Sequence, residues 1–213
     1  MSNALQDYLA THGVEFCQKI LAHLQISVLA VAIAVLIAVP LGIACSRRQR
    51  VQWLFTELFS LLRIIPSLAI LFICIPFLGT GVLPATVALT ILAVPPILIN
   101  TILSFQTIPE AILETATGMG MGKPERFFAV EFPLAVPLIL TGIRTATIEV
   151  IASATLAAYI GGGGLGEVIF TGLGLYRMDL LIIGGAAVAL LSLLADLAFY
   201  LIHQCVTRYQ RIE

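Results

Sequence analysis

The sequence predicts an all-α, polytopic membrane protein of about five transmembrane helices, with a two-helix loop on the cytoplasmic side. Three observations carry that prediction. Of 213 residues, 60% are hydrophobic and only 11% are charged, against about 25% charged in an ordinary soluble domain. Mean hydropathy is +1.06. The apolar residues also collect in stretches of bilayer length. A folded chain of this size leaves about 30% of its unfolded surface exposed, so the apolar surplus cannot be hidden from water. A soluble enzyme and a disordered chain are excluded. The formal charge of −1 excludes a nucleic-acid binder that works through a basic field.

A bilayer core of about 30 Å takes about 20 helical residues. Span one is expected over about 24–45, after an N-terminal stretch carrying Asp7, Glu15 and Lys19 that lacks the basic start of a signal peptide. Span two covers about 53–78 and is interrupted by Pro66. Span three covers about 84–105, with Pro95 and Pro96 in its middle. Spans four and five cover about 135–160 and 180–202. The prolines each remove a backbone donor and are expected to kink or unwind their spans, which marks Pro66, Pro95 and Pro96 as pathway or hinge positions, or as simple packing kinks. The glycine-rich stretch at 161–166 is read as a flexible turn after span four.

Basic residues in short loops set the orientation. Arg47, Arg48, Arg50, Lys123, Arg126, Arg208 and Arg211 fall on one face, and Lys19 and Arg177 on the other. The first face is assigned to the cytoplasm, which puts the N-terminus outside and the C-terminus inside. Trp53, Tyr159, Tyr176 and Tyr209 fall near the expected interfaces. No internal repeat or linker is visible, so residues 1–213 read as one membrane domain. Cys17, Cys45, Cys74 and Cys205 match no metal or redox spacing and read as buried apolar thiols. His12, His23 and His203 have no metal-ligand spacing. No catalytic residue and no metal site are expected.

The loop at about 107–133 carries organised chemistry. Pro109 and Glu110 make a good helix start. Gly118, Gly120 and Gly122 then break the helix and permit positive φ. Lys123-Pro124-Glu125 restarts one, which is expected to run through Phe127 and Phe128 and stop at Pro133. Two short helices around a sharp turn make an apolar knob, suited either to a partner's groove or to the lipid headgroups.

Glu114-Thr115-Ala116, three further residues, Gly120, nine more and then Val130-Glu131-Phe132-Pro133 resemble the loop motif of permease subunits of ATP-binding-cassette (ABC) importers. Arg63-Ile64-Ile65-Pro66-Ser67, Gly118-Met119-Gly120-Met121, Gly142-Ile143-Arg144-Thr145, and Ile160 through Gly166 followed by Ile169-Phe170-Thr171-Gly172-Leu173 are together similar to the osmoprotectant subgroup, which serves glycine betaine, choline and carnitine. The resemblance covers about residues 20–205. It implies that residues 114–133 are coupling helices seated in a cytoplasmic ATPase subunit, with Glu114, Thr115, Ala116, Gly120 and Pro133 carrying the motif. Gly120 would form the turn, Glu114 would hold the first helix through a hydrogen bond or ion pair, and Phe127 and Phe128 would anchor the groove contact. It further implies an external solute-binding protein, a second permease copy or paralogue, and a bacterial inner-membrane location. ATP and Mg would belong to the ATPase partner; this chain lacks a Gly-rich phosphate loop ending in Lys-Ser/Thr and is expected to hold no cofactor. The substrate stays open between quaternary amines and another small solute such as an amino acid.

Arg63, Arg144, Glu149 and Asp196 lie within the expected spans. Each costs at least about 2.5–3.5 kcal/mol at the bilayer centre, so they should face the bundle interior and be paired. Arg144 and Glu149 are five apart, an imperfect pairing distance, and Asp196 offers itself to Arg144 or Arg63. Structural pairing and lining of a translocation path are both open readings. No aromatic cage is visible within the spans, so recognition of an amine there should be weak. An intramembrane protease is disfavoured because no His is placed beside Ser153, and a secondary transporter because no repeat is present.

Overall fold

The computed structural model describes residues 2–207. Among the described residues nine α-helices run in the order α1 (Ser2–Ser46), α2 (Gln49–Leu62), α3 (Ser67–Leu78), α4 (Val82–Gln106), α5 (Glu110–Gly118), α6 (Lys123–Arg126), α7 (Phe132–Ala157), α8 (Leu165–Gly174) and α9 (Met178–Val206). A π-helical turn, Phe127–Glu131, joins α6 to α7, and a 3₁₀ turn, Ala158–Ile160, follows α7. Among the described residues four helices are long and apolar enough to cross a membrane, and the bent pair α2–α3 makes a fifth if counted as one span.

Helix α4 is the axis of the bundle. In its most apolar stretch 67% of residues are buried, against 22–33% for the other three long helices. It is gripped on two sides by small-residue stripes. On α1, Ala30, Ala34 and Ala38 are fully buried. The stripe continues at Gly42, where an added Cβ would lie 2.7 Å from Thr101. On α7, Gly142 would place a Cβ 2.9 Å from the Pro96 carbonyl, and Ala146, Val150 and Ala154 continue the same face. Apolar tails offer no hydrophobic drive between helices in a bilayer, so close backbone approach through small residues supplies the contact instead. Leu89, Ala93, Ile97 and Leu98 of α4 fill the space between the two stripes.

The structure corrects several expectations. The interruption expected in span two at Pro66 is a full break, with α2 and α3 meeting at 91°. Pro66 has φ −58° and ψ 137°, and its ring disfavours the α conformation at Ile65. Pro95 and Pro96, by contrast, sit buried inside a continuous α4. Helical structure does not stop at Pro133. The Phe132 N–H bonds to the Phe127 carbonyl, one residue further back than α-helical spacing, and the helix runs on through Pro133 into α7.

Span four is followed by a short helix, α8, that was not anticipated. The glycines at 161–164 are a defined elbow, with Gly161, Gly163 and Gly164 at φ 77°, 77° and 83°. Gly166 has the carbonyl of Thr155 only 2.0 Å from where a Cβ would stand, so α8 folds flat against the end of α7. Cys45 and Cys74 are buried, but Cys17 and Cys205 are exposed because they sit on outward faces of α1 and α9. Trp53, Tyr159 and Tyr176 are exposed. Arg208, Tyr209 and Arg211 lie outside the described residues.

Candidate functional site

Two ends of the bundle are distinct. At one end the α4–α7 loop folds against the α1–α2 corner. The Arg47 guanidinium sits 5.4 Å from the Phe127 ring centroid. Gln106 donates to the Gln52 side chain at 2.8 Å, and Gln52 in turn reaches the Ser46 carbonyl. Phe127 stacks on Phe105 at 5.9 Å and meets Phe128 edge-on at 5.1 Å. Phe127 is therefore turned into the body of the protein, whereas Phe128 is 71% exposed.

Within the loop, α5 and the π turn are held together by one side chain. Arg126 donates to Glu131 at 2.9 Å and to the Thr117 hydroxyl at 3.0 Å. Nothing in the sequence pattern singled out Arg126, because its partners lie in different elements. Of the three loop glycines, only Gly120 has positive φ, at 87°. Its N–H bonds to the Thr117 carbonyl, and Met121 N–H bonds back to Ala116. Ala116 is buried beneath the turn. Nothing lies within 4 Å of a Cβ built on Gly120, so it is the backbone conformation, not crowding within this chain, that calls for glycine there. Glu114 is exposed and finds no hydrogen-bond or ion-pair partner among the described residues, contrary to the expected internal tie. Thr115 is tied to the Ala111 carbonyl at 2.7 Å. Ile112, Ala116, Met119, Met121 and Val130 line an apolar groove of ≈ 350 Å³ on the loop's outer side.

At membrane depth the four charges form two pairs. Arg144 on α7 grips Asp196 on α9 with two hydrogen bonds, 2.5 and 2.8 Å. Glu149 does not pair with Arg144; five residues along α7 turn the two side chains to different faces. Glu149 instead accepts one hydrogen bond, 3.1 Å, from Arg63 at the end of α2. That pair opens on a cleft of ≈ 380 Å³ bounded by Pro66, Ser67, Pro95 and Ser153. Pro66 and Pro95 are thus brought to the same place, while Pro96 is packed against α7.

At the end opposite the loop, Lys19 of α1 bridges Glu15 at 3.0 Å and Glu167 of α8 at 3.4 Å. Tyr159 gathers two rings edge-on, Phe170 at 4.4 Å and Phe72 at 6.4 Å. This trio comes from three separate elements and could not be read from spacing. His23 is buried, with Nε2 3.0 Å from the Ile151 carbonyl, and it packs against the elbow at Gly164.

This is a multi-pass helical membrane subunit that presents a folded, partly apolar loop at one end and an ion-paired cleft at mid-depth. Residues 34–208 match the family described as binding-protein-dependent transport system inner membrane component, and the chain belongs to that family. It is similar, at 42% identity over 96% of its length and 94% of the relative's, to the glycine betaine/carnitine/choline transport system permease protein OpuCB of Bacillus subtilis. It is 43% identical to the choline transport system permease protein OpuBB of the same organism, over 89% of this chain and 87% of that one. Among solved structures, an inward-facing form of the MetNI methionine ABC transporter matches with a TM-score of 0.82 at 20% identity, covering 90% of this chain and 96% of that chain. That likeness establishes the fold.

Proposed function

We propose that this chain is the permease subunit of an ATP-driven importer of osmoprotectant quaternary amines, glycine betaine, carnitine and choline among them. Two permease copies, or this chain and a paralogue, enclose the pathway. Two cytoplasmic ATPase subunits, which hold ATP and Mg, dock on the loop of α5, α6 and the π turn. A solute-binding protein delivers the substrate at the opposite end, near Tyr159 and Glu167. The loop end then faces the cytoplasm, with the N-terminus outside and the C-terminus inside. The basic Arg47, Arg48, Arg50, Lys123 and Arg126 support this orientation, since all five follow or precede helix ends on the loop side.

The observation that carries the coupling assignment is the loop itself. Its turn is pinned at Gly120, its base is held by Arg126, and Phe128 and Met119 are left exposed on it. Rigid elements transmit displacement; a floppy connection would not. ATP-driven closure of the ATPases would shift this loop and, through the unbroken helical path from Lys123 to Ile160, tilt α7. The substrate assignment draws support from the relatives' substrates. Its test is uptake of labelled glycine betaine, carnitine and choline by the complete transporter in cells stripped of other uptake systems, before and after a salt upshift. ATP-dependent accumulation of at least one is expected. Accumulation of none, with an amino acid taken up instead, would overturn the substrate assignment.

A further inference from the structure

We propose that the cleft at the α2–α3 break is a transient binding site for a zwitterionic substrate, with Arg63 receiving its carboxylate and Glu149 facing its cationic group. The inference rests on the transport reading above and adds to it which charges of the solute are read inside the membrane, and by what.

The two intramembrane ion pairs differ in kind. Arg144 and Asp196 are joined by two hydrogen bonds, the fork geometry that fixes a guanidinium to a carboxylate. Arg63 and Glu149 share a single bond of 3.1 Å. Arg63 has five N–H donors and a carboxylate about four acceptor sites, so most of the hydrogen-bonding capacity of this pair is unused among the described residues. The side chains are 47% and 34% exposed. A charge facing hydrocarbon is costly, so the open sides of this pair belong to a polar space. The unwound backbone beside it agrees: the carbonyls of Arg63, Ile64 and Ile65 accept no backbone hydrogen bond among the described residues. Such backbone is tolerated at membrane depth only where protein or a water-filled cavity satisfies it.

The cleft matches a small zwitterion in more than charge. Ser67 and Ser153 contribute hydroxyls, and Ile70, Ile91 and Leu92 contribute an aliphatic wall against which N-methyl groups can shed water. Its ≈ 380 Å³ accommodates a solute of a few heavy atoms with water to spare. No aromatic ring among the described residues lines it, so a cation is not trapped by a cage there. Entry is an exchange of partners. The incoming carboxylate takes the open edge of the Arg63 fork, and Glu149, released, faces the incoming ammonium. Two positive and two negative charges are present throughout, so no charge is left uncompensated at any stage. A substrate without a carboxylate would release Glu149 and leave Arg63 unpaired, so the site favours zwitterions over simple cations.

The test uses the complete transporter, with its ATPase and binding-protein partners, and reads glycine betaine uptake beside ATP hydrolysis stimulated by loaded binding protein. The variants are Arg63→Gln, Arg63→Lys and the neutral double variant Arg63→Met/Glu149→Met, which leaves no unpaired charge to disturb assembly. Loss of a charge-assisted contact predicts uptake lower by about tenfold or more in Arg63→Gln and in the double variant. Arg63→Lys should keep a substantial part of it. Stimulated hydrolysis should persist in the double variant, because the coupling loop is untouched. Wild-type uptake in the double variant, equal loss in Arg63→Lys and Arg63→Gln, or parallel loss of uptake and stimulated hydrolysis would each overturn the site. If wild type carries no quaternary amine but carries a zwitterionic amino acid in an Arg63-dependent manner, the substrate assignment fails and the site stands.

Discussion

Arg144 and Asp196, 52 residues apart in sequence, form a two-pronged ion pair that ties α7 to α9 at membrane depth. Helix α7 is the helix that leads out of the loop, so this pair links α9 to it. Asp196→Asn leaves the Arg144 guanidinium without its counter-charge. The expected outcome is a thermal midpoint several degrees lower in detergent and a smaller yield of assembled complex. Arg144→Met/Asp196→Leu should recover most of the midpoint, because an apolar pair carries no desolvation cost. Unchanged melting of Asp196→Asn contradicts the structural role.

Gly120 carries the turn of the loop at φ 87°. Gly120→Asp imposes backbone strain of about 1 kcal/mol or more and places a charge on the proposed docking face. ATP-dependent uptake should fall by about tenfold or more, with ATPase co-purification reduced and the amount of permease in the membrane unchanged. Full uptake with normal co-purification refutes the coupling assignment.

Phe127 and Phe128 are adjacent but opposed. Phe127→Ala removes the stack on Phe105 and should cost about 1–3 kcal/mol of stability, read as a lower melting temperature. Phe128→Ala, on an exposed side chain, should leave melting unchanged and weaken ATPase binding. Interchanged phenotypes contradict the structure at this point.

Gly166 meets the Thr155 carbonyl 2.0 Å from its missing Cβ. Gly166→Ala must push α8 off the end of α7. Overpacking of this kind costs about 1–3 kcal/mol, and protease sensitivity should rise in the elbow at 161–164. Resistance equal to wild type contradicts the close seat of α8.

Much of this architecture was legible in the sequence because bilayer length and the cost of buried charge are strong, local rules. The long apolar runs became α1, α4, α7 and α9, and the expectation that intramembrane charges must pair found its partners in Arg144–Asp196 and Arg63–Glu149. The residues that pair were less legible. Spacing along α7 offered Glu149 to Arg144, but only the fold brings Arg63 to Glu149, 86 residues away. Proline was ambiguous for the same reason. Pro66 breaks a span by 91°, while Pro95 and Pro96 are carried inside a continuous, buried α4. The turn at Gly120 followed from its glycines, whereas the clamp by Arg126 and the inward turn of Phe127 are tertiary facts. The rings of Phe72, Tyr159 and Phe170 converge from three elements with no sequence periodicity to announce them.

The central claim is that force from ATP hydrolysis enters through the loop of α5, α6 and the π turn. A photo-cross-linking residue placed at Phe128 in the assembled transporter tests it directly. The account predicts a product joining this chain to the ATPase subunit, with a yield that changes between nucleotide-free and ATP-bound states. Absence of that product in a complex that still transports, or labelling of the same position by a membrane-impermeant reagent from outside the cell, contradicts it.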